Sequence, residues 1–376
     1  MKILILTGSY PSEGNPLPSI FVHNQAKALQ KMGYEVAVLL FDMRSLRKKR
    51  KFLFSEYTFD EIHVYRYAIP CGPIPYLLEY LSFLATKRGF KHVMNHFGKP
   101  DLIHAHFSGA GYCASGIKKQ FSIPYVITEH DSSLITSKIS KETTWFAKKA
   151  YFKADKLIAV GTVLKKSMER LTDKSITVIP NILPDTFHIM DSVIKENRFT
   201  FISVGNLIKR KRMDLTISAF AKLYEKDGGI QLKIVGDGSL RQELLKLAKE
   251  KGVDHVVEFL GERPNKKIPE IYNKCHCFVL PSEAETFGVV YAEAAACGLP
   301  VIATDCGGPK DIVNSNNGFL IKCNDIEALY TAMCNVYINY KDFNIREISE
   351  NMLDCFGKAR IIQALVESYE EIQNEK

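Results

Sequence analysis

Two carboxylates eight residues apart carry the first chemical signal. In the segment 280–304, LPSEAETFGVVYAEAAACGLPVIAT, Glu285 sits in a polar turn after an apolar strand pattern. Glu293 lies inside the helix pattern Phe287–Cys297 that follows. Its small neighbours, Ala292, Ala294, Ala295 and Ala296, let that helix pack closely on a sheet and leave the carboxylate few directions except the open end of the sheet. Exposed N–H groups at the helix start, around Phe287, Gly288 and Val289, make an anion site, and Gly288 permits the close approach of a phosphate. Ionised acids beside such a site suit a ligand with paired hydroxyls, because they accept hydrogen bonds from them. On these residues alone a second reading stands equally: Glu285 solvated in a loop, Glu293 paired to a nearby cation.

Histidines form the second signal. His104 and His106 end the strand pattern Leu102–His106, where alternation puts both on one face, and His130 ends the next strand, followed by Asp131. A strand-end histidine alone is usually structural; two neighbouring strand ends tipped with histidine point to a ligand site. Cys275-His276-Cys277 has metal-binding residue types, but it opens an apolar run in which the two cysteines share a face and His276 points away. No second Cys/His pair lies at a zinc-site spacing, so no metal site is expected.

These groups need a scaffold, and the chain alternates short apolar runs with amphipathic stretches. Strand patterns fall at 2–6, 36–40, 63–67, 102–106, 125–128, 156–160 and 177–179, then at 200–204, 231–235, 256–260, 277–280, 300–303 and 318–321. Helix patterns intervene, for example 21–32, 164–171, 213–224, 240–249 and 326–336. Such alternation predicts an α/β protein with parallel sheets covered on both faces. A polar stretch without period, 185–199, separates two doubly wound domains, 1–190 and 191–376, and ligands in such sheets bind beyond the carboxyl ends of the strands, so the domains are expected to face each other across a cleft. No G-x-G-x-x-G follows any strand and no Walker A pattern occurs, which argues against a dinucleotide and against P-loop phosphoryl transfer.

The 280–304 segment resembles the E-x7-E region of the family 4 retaining glycosyltransferases, with Glu285 and Glu293 as the two acids. GNLIKRKRMDLTISAF (205–220) is similar to the family's phosphate-binding turn, and IVGDGSLRQEL (234–244), FLGERP (259–264) and DCGGPKDIVNSNNGFLI (305–321) are similar to its later strand ends. DLIHAHF (101–107), TEH (128–130) and VIPN (178–181) match its N-terminal pattern. The resemblance implies a GT-B fold, whose last helix packs back on the N-terminal domain, and a nucleotide-sugar co-substrate, UDP-sugar favoured, with no metal and no cofactor. It further implies transfer with retention to a glycan or lipid-linked sugar acceptor in cell-surface polysaccharide synthesis. By the same resemblance Lys211 neutralises the donor diphosphate, Glu293 accepts the ribose hydroxyls, Glu285 holds the transferred sugar, and groups near Glu262 and Arg263 meet the base. Gly205, Asn206 and Arg210 complete the turn. His106 borders the donor sugar and acceptor, with His104, His130 and Asp131 nearby. The sequence departs from the family pattern at Asn206, where Arg is usual, and at Arg212, where Gly is usual. Lys209 or Arg210 could supply the missing charge. Those departures keep open an inactive partner homologue, and the scaffold keeps open a UDP-sugar 2-epimerase.

Charge supplies the remaining expectation. Of 376 residues, the first 190 hold 26 Lys and Arg against 15 Asp and Glu, whereas the other 186 hold 24 against 27. The excess on one side predicts an anionic partner. Arg44, Arg47, Lys48, Lys49, Arg50 and Lys51 form its densest cluster, followed by Phe52-Leu53-Phe54, and 74–85 adds a helix pattern with an apolar face. Basic residues beside apolar ones suit an anionic membrane surface. No helix-turn-helix, zinc finger or RNP pattern suggests nucleic acid. Nine scattered cysteines, an N-terminus without a secretory signal, and no long apolar span predict reduced thiols in a cytoplasmic protein, peripheral on the inner face of the cell membrane.

Overall fold

The computed structural model describes residues 1–43, 51–70, 75–136 and 139–374, without the side chains of residues 75, 76, 78 and 79. Arg44, Arg47, Lys48, Lys49 and Arg50 lie outside the described residues; Lys51 is exposed at the start of an irregular pair of residues. The chain divides into two compact units, one of 1–182 with 361–376 and one of 183–360.

The first unit holds eight strands: β1 (Lys2–Thr7), β2 (Glu35–Asp42), β3 (Leu53–Phe59), β4 (Ile62–Ala68), β5 (Leu102–His106), β6 (Tyr125–Glu129), β7 (Lys156–Ala159) and β8 (Ile176–Val178). Their order is β3-β4-β2-β1-β5-β6-β7-β8. All pairs are parallel except β3 with β4. Central strands read as unbroken apolar runs because helices cover both faces: Ile3, Leu4, Ile5 and Leu6 are all fully buried. The sequence reading missed β3. Its residues alternate between exposed and half-buried at the sheet edge, and its Phe54 ring stacks on His92 at 3.7 Å. The aromatic end of the basic run is therefore an edge strand. The last helix, Lys358–Asn374, contributes Ile361, Ile362, Leu365, Tyr369 and Ile372 to the core around Ile3, Ile5 and Val22, a spacing that lines one helical face.

The second unit is a six-stranded parallel sheet: β9 (Phe199–Val204), β10 (Ile230–Val235), β11 (Val257–Gly261), β12 (Cys277–Leu280), β13 (Val301–Thr304) and β14 (Gly318–Ile321), in the order β11-β10-β9-β12-β13-β14. The chain winds outward from β9 in one direction and from β12 in the other, so the order reverses between these two neighbours. That reversal leaves a crevice at their carboxyl ends, because successive loops there lead to opposite faces of the sheet. Among the described residues no helix is long and apolar enough to cross a membrane.

Candidate functional site

The loops at the β9–β12 reversal are locked to one another and to their neighbours by backbone hydrogen bonds. Leu207 N donates to Asp237 O at 2.9 Å and Leu240 N to Leu207 O at 3.0 Å, tying the loop after β9 to the loop after β10. Glu283 N donates to Arg210 O at 2.8 Å, and Gly308 N to Glu285 O at 2.6 Å, tying in the loops after β12 and β13. The approach is close enough to dictate residue type: a Cβ on Gly236, at φ +132°, would lie 2.0 Å from Gly205 O.

This frame brings Lys211 and Glu285 together from opposite sides of the crevice. Lys211 Nζ donates to Glu285 Oε1 at 2.5 Å, with side chains 13% and 10% exposed. Expected as separate ligand groups, the two are each other's partners. Arg212 adopts a left-handed backbone at φ 51°, which accounts for the family's usual glycine there. Its guanidinium is held by Asp214 at 2.9 Å and Glu283 at 3.2 Å, contacts that offset the strain a side chain brings. Asn206, Lys209 and Arg263 are exposed and Arg210 is half-buried on the same rim.

The helix after β12 begins later than its sequence pattern, at Val289–Ala296. Gly288 precedes it at φ 84° and offers no side-chain cap; Phe287 is buried, 5.2 Å from the Phe356 ring. Glu293 is buried, and its carboxylate has no hydrogen-bond or ion-pair partner among the described residues. Burial accordingly pushes its carboxyl up to about 8. Its oxygens are not among the solvent-sealed polar atoms, so they keep an opening to solvent where the hydroxyl groups of a ligand can donate to them.

In the first unit the strand order reverses between β1 and β5, and the histidines lie at the ends of β5 and β6. His104 proves to be a core residue rather than a ligand group. Its Nδ1 accepts from Tyr369 Oη at 2.6 Å and Gln25 Nε2 at 3.2 Å, and its Nε2 donates to Thr128 Oγ1 at 2.7 Å. His106 stacks on that ring at 4.5 Å, and its Nδ1 shares a proton with His130 Nε2 at 3.0 Å. The far nitrogens, His106 Nε2 and His130 Nδ1, are buried without a partner. Burial lowers all three imidazoles far below their ordinary value, His104 and His130 to about 3, so each is neutral at pH 7. A neutral pair sharing one proton must leave an N–H at one outer nitrogen and a lone pair at the other, whichever tautomer holds. Asp131 is a turn residue: its carboxylate accepts from Ser133 N and Ser133 Oγ, both at 2.8 Å.

Glu129 was overlooked. This fully buried acid accepts from Ser108 N (3.0 Å), His130 N (3.0 Å), Asp131 N (3.1 Å) and Tyr151 Oη (2.7 Å). Burial pushes its carboxyl up, against donors that favour the ionised form. It ties the turn after His106, where Phe107 is left-handed at φ 71°, to the backbone of His130. An acid at the carboxyl end of a buried strand, between Thr128 and His130, was the available signal.

Cys275 and Cys277 are buried and burial pushes the Cys275 thiol up to about 12, while His276 Nδ1 accepts from Thr200 N at 3.1 Å. Among the described residues no group of three His, Cys, Asp or Glu side chains is placed to hold a metal ion.

Two doubly wound units with polar groups gathered at the reversal of each sheet define the GT-B class. Sucrose-phosphate synthase from Thermosynechococcus elongatus shares the fold over the whole of both chains, with a TM-score of 0.82 at 19% identity. Anabaena HepE, solved in complex with UDP, shares it over 99% of this chain and 100% of that one, with a TM-score of 0.79 at 20% identity. The Glycosyltransferase Family 4 model matches residues 19–186 and the Glycosyl transferases group 1 model matches residues 185–346. The putative teichuronic acid biosynthesis glycosyltransferase TuaC of Bacillus subtilis is 29% identical over 356 residues, 89% of this chain and 88% of that protein. The chain belongs to the family 4 glycosyltransferases.

Proposed function

We propose that the protein moves a sugar from a UDP-sugar to a glycan or lipid-linked sugar acceptor, with retention at the anomeric carbon and without a metal, in cell-surface polysaccharide synthesis at the inner face of the membrane. Two observations carry this reading: the buried Lys211–Glu285 pair at the sheet reversal, and the buried Glu293, without a protein partner, in the helix that follows Glu285. A ribose offers Glu293 two hydroxyl donors. A diphosphate offers Lys211 a stronger anionic partner than a single carboxylate, which frees Glu285 to accept hydroxyls of the transferred sugar. The amides of Gly288 and Val289 then face the distal phosphate, Gly205, Asn206 and Arg210 line the rest of the diphosphate, and Arg263 lies toward the base. The complexes of HepE with UDP and with UDP-glucose, in a protein of the same fold, support a uridine donor.

In the reaction the bond from the anomeric carbon to the phosphate oxygen breaks as the acceptor oxygen bonds to that carbon on the same face. The acceptor proton passes to the departing phosphate oxygen. Lys211 stabilises the charge that develops there, so no nucleophilic carboxylate is required and Glu285 serves binding.

The test is transfer of labelled sugar from UDP-sugars into a membrane extract, with the anomeric configuration of the product read by NMR. Lys211→Ala and Glu285→Ala should each lower turnover by roughly tenfold or more, the scale for one transition-state contact. Rates unchanged by both substitutions, an inverted product, or a strict requirement for divalent metal would refute the reading. UDP release without any acceptor would indicate epimerase chemistry instead.

A further inference from the structure

The helix Lys141–Lys153 lies in the first unit, capped by Ser140, whose side chain accepts from Thr143 N. It buries Phe146, Ala147, Ala150 and Tyr151 on one face. The opposite face is odd for a surface helix. Trp145 is 43% exposed and Phe152 75% exposed, and they stand among Lys141, Lys148, Lys149 and Lys153, all exposed. Residues 141, 145, 148, 149 and 152 recur at helical spacing, so the two aromatic rings and the lysines share one stripe. Its only acid, Glu142, is half-buried. Lys149 Nζ lies 5.7 Å from the Trp145 ring centroid.

The apolar strip does not stop at this helix. Trp145 meets Tyr112 at 5.9 Å, Tyr112 meets Phe83 at 6.4 Å, and Phe83 belongs to the helix Pro75–His96, where Leu77 and Tyr80 are 43% and 61% exposed. Trp145 packs one side on Tyr112 and Phe146 and leaves the rest in water, and Phe152, 75% exposed, gains little from the fold of this unit. A protein partner would favour arginine over lysine at such a contact. An anionic bilayer instead rewards both features together, with rings in the interfacial zone and ammonium groups at the phosphates.

We propose that this face of Lys141–Lys153 is the membrane-docking surface, Trp145 and Phe152 entering the headgroup region of an anionic bilayer and the four lysines meeting its phosphates. This rests on the peripheral-membrane reading above and gives it an address other than the basic cluster at 44–51.

Trp145 is the only tryptophan in the chain, so the intact protein reports its own docking. The experiment adds phosphatidylcholine vesicles, with and without phosphatidylglycerol, at low salt, and records tryptophan emission together with cosedimentation. With anionic vesicles the emission should shift to the blue and be quenched by brominated lipid. Lys148→Glu with Lys149→Glu should weaken binding by at least about 25-fold, about fivefold for each lysine lost, the fold-change equivalent to about 1 kcal/mol per basic residue. Phe152→Ser should weaken it without altering the salt dependence. Three results would overturn the proposal: cosedimentation with no change in emission, equal binding to neutral vesicles, or a blue shift that depends on protein concentration without lipid. The last would mark the face as a contact between copies. Transfer to a short soluble acceptor should survive Lys148→Glu with Lys149→Glu. Its absence in the unsubstituted protein, with docking intact, would sink the proposed transfer reaction and leave the docking face standing.

Discussion

If Glu293 receives the ribose hydroxyls, nucleotide-sugar binding must release a proton. Burial without a partner holds its carboxyl at about 8 in the free protein, so at pH 7 only about one molecule in ten carries the charge. Two hydroxyl donors favour the ionised form, and the cost of reaching it is subtracted from binding: about 1.4 kcal/mol at pH 7 and about 2.7 at pH 6. Affinity should therefore rise about tenfold per pH unit up to about pH 8 and level off above it. Titration calorimetry with a UDP-sugar, in buffers of different ionisation enthalpy, measures the released proton directly; a nucleotide-sugar is preferred to UDP because its diester phosphates do not titrate in this range. Glu293→Gln should bind with little pH dependence and release no proton. Stability gives an independent reading. A carboxyl raised in the folded state costs stability progressively as pH rises from its unfolded value near 4.5 to about 8, at about 1.4 kcal/mol per unit. The buried histidines act in the opposite sense, costing stability as pH falls below their unfolded value near 6.5, so the substituted and unsubstituted proteins must be compared at each pH. Glu293→Gln should be the more stable of the two at pH 7 and by a growing margin toward pH 8. Identical pH profiles for binding, with no proton released, would refute the assignment of Glu293 to the ribose.

Two further outcomes follow from the geometry. Glu129→Gln keeps an oxygen for one pair of donors but turns an amide NH2 either on the N–H groups of His130 and Asp131 or on the Ser108 N–H and the Tyr151 hydroxyl, and should destabilise the protein by about 2 kcal/mol in urea unfolding, the cost of a buried group left unpaired, while Tyr151→Phe, which removes one donor, should cost about 1. Gly236→Ala drives a methyl into Gly205 O and should both lower stability by about 3 kcal/mol and weaken UDP-sugar binding, because the same loop carries Lys211; unchanged affinity by thermal shift would show that the loop contact does not set the site.

Much of this scaffold is legible in the sequence because parallel strands buried on both faces leave short, nearly pure apolar runs. Leu102–His106, Cys277–Leu280 and Gly318–Ile321 are read from sequence with the bounds they have in the structure. The edge strand Leu53–Phe59 is not, since half its residues face water and it pairs antiparallel, giving no apolar run to notice. Types and spacing single out Glu285, Glu293 and the strand-end histidines, and the family resemblance singles out Lys211, but partnership is a three-dimensional property. Nothing in the chain says that Lys211 and Glu285, 74 residues apart, form an ion pair, or that Asp131 is spent on its own turn. The left-handed bend at Arg212 is hidden for a similar reason: of its compensating acids, Asp214 is near in sequence but Glu283 comes from a separate loop.

The charge asymmetry also takes a different meaning once side chains are placed. An excess of 26 basic over 15 acidic residues in the first 190 would suggest that this part of the chain supplies the cation for an anionic substrate. Its histidine cluster is instead neutral: three buried imidazoles that burial holds uncharged at pH 7, sharing hydrogen bonds rather than charge. Such a pair can orient a hydroxyl, through one N–H and one lone pair, but cannot neutralise a phosphate. Lys211, a buried cation at a sheet reversal, lies in the part of the chain whose overall charge is near zero. Most of the described lysines of the first unit lie on its helices, Lys141, Lys148, Lys149 and Lys153 among them, where a small soluble substrate gains little from exposed ones because their charges are screened within about 8 Å at physiological salt. An extended anionic surface gains from all of them at once. On the proposed reading, net charge marks the docking face, and the local pairing of one lysine with one glutamate marks the diphosphate site.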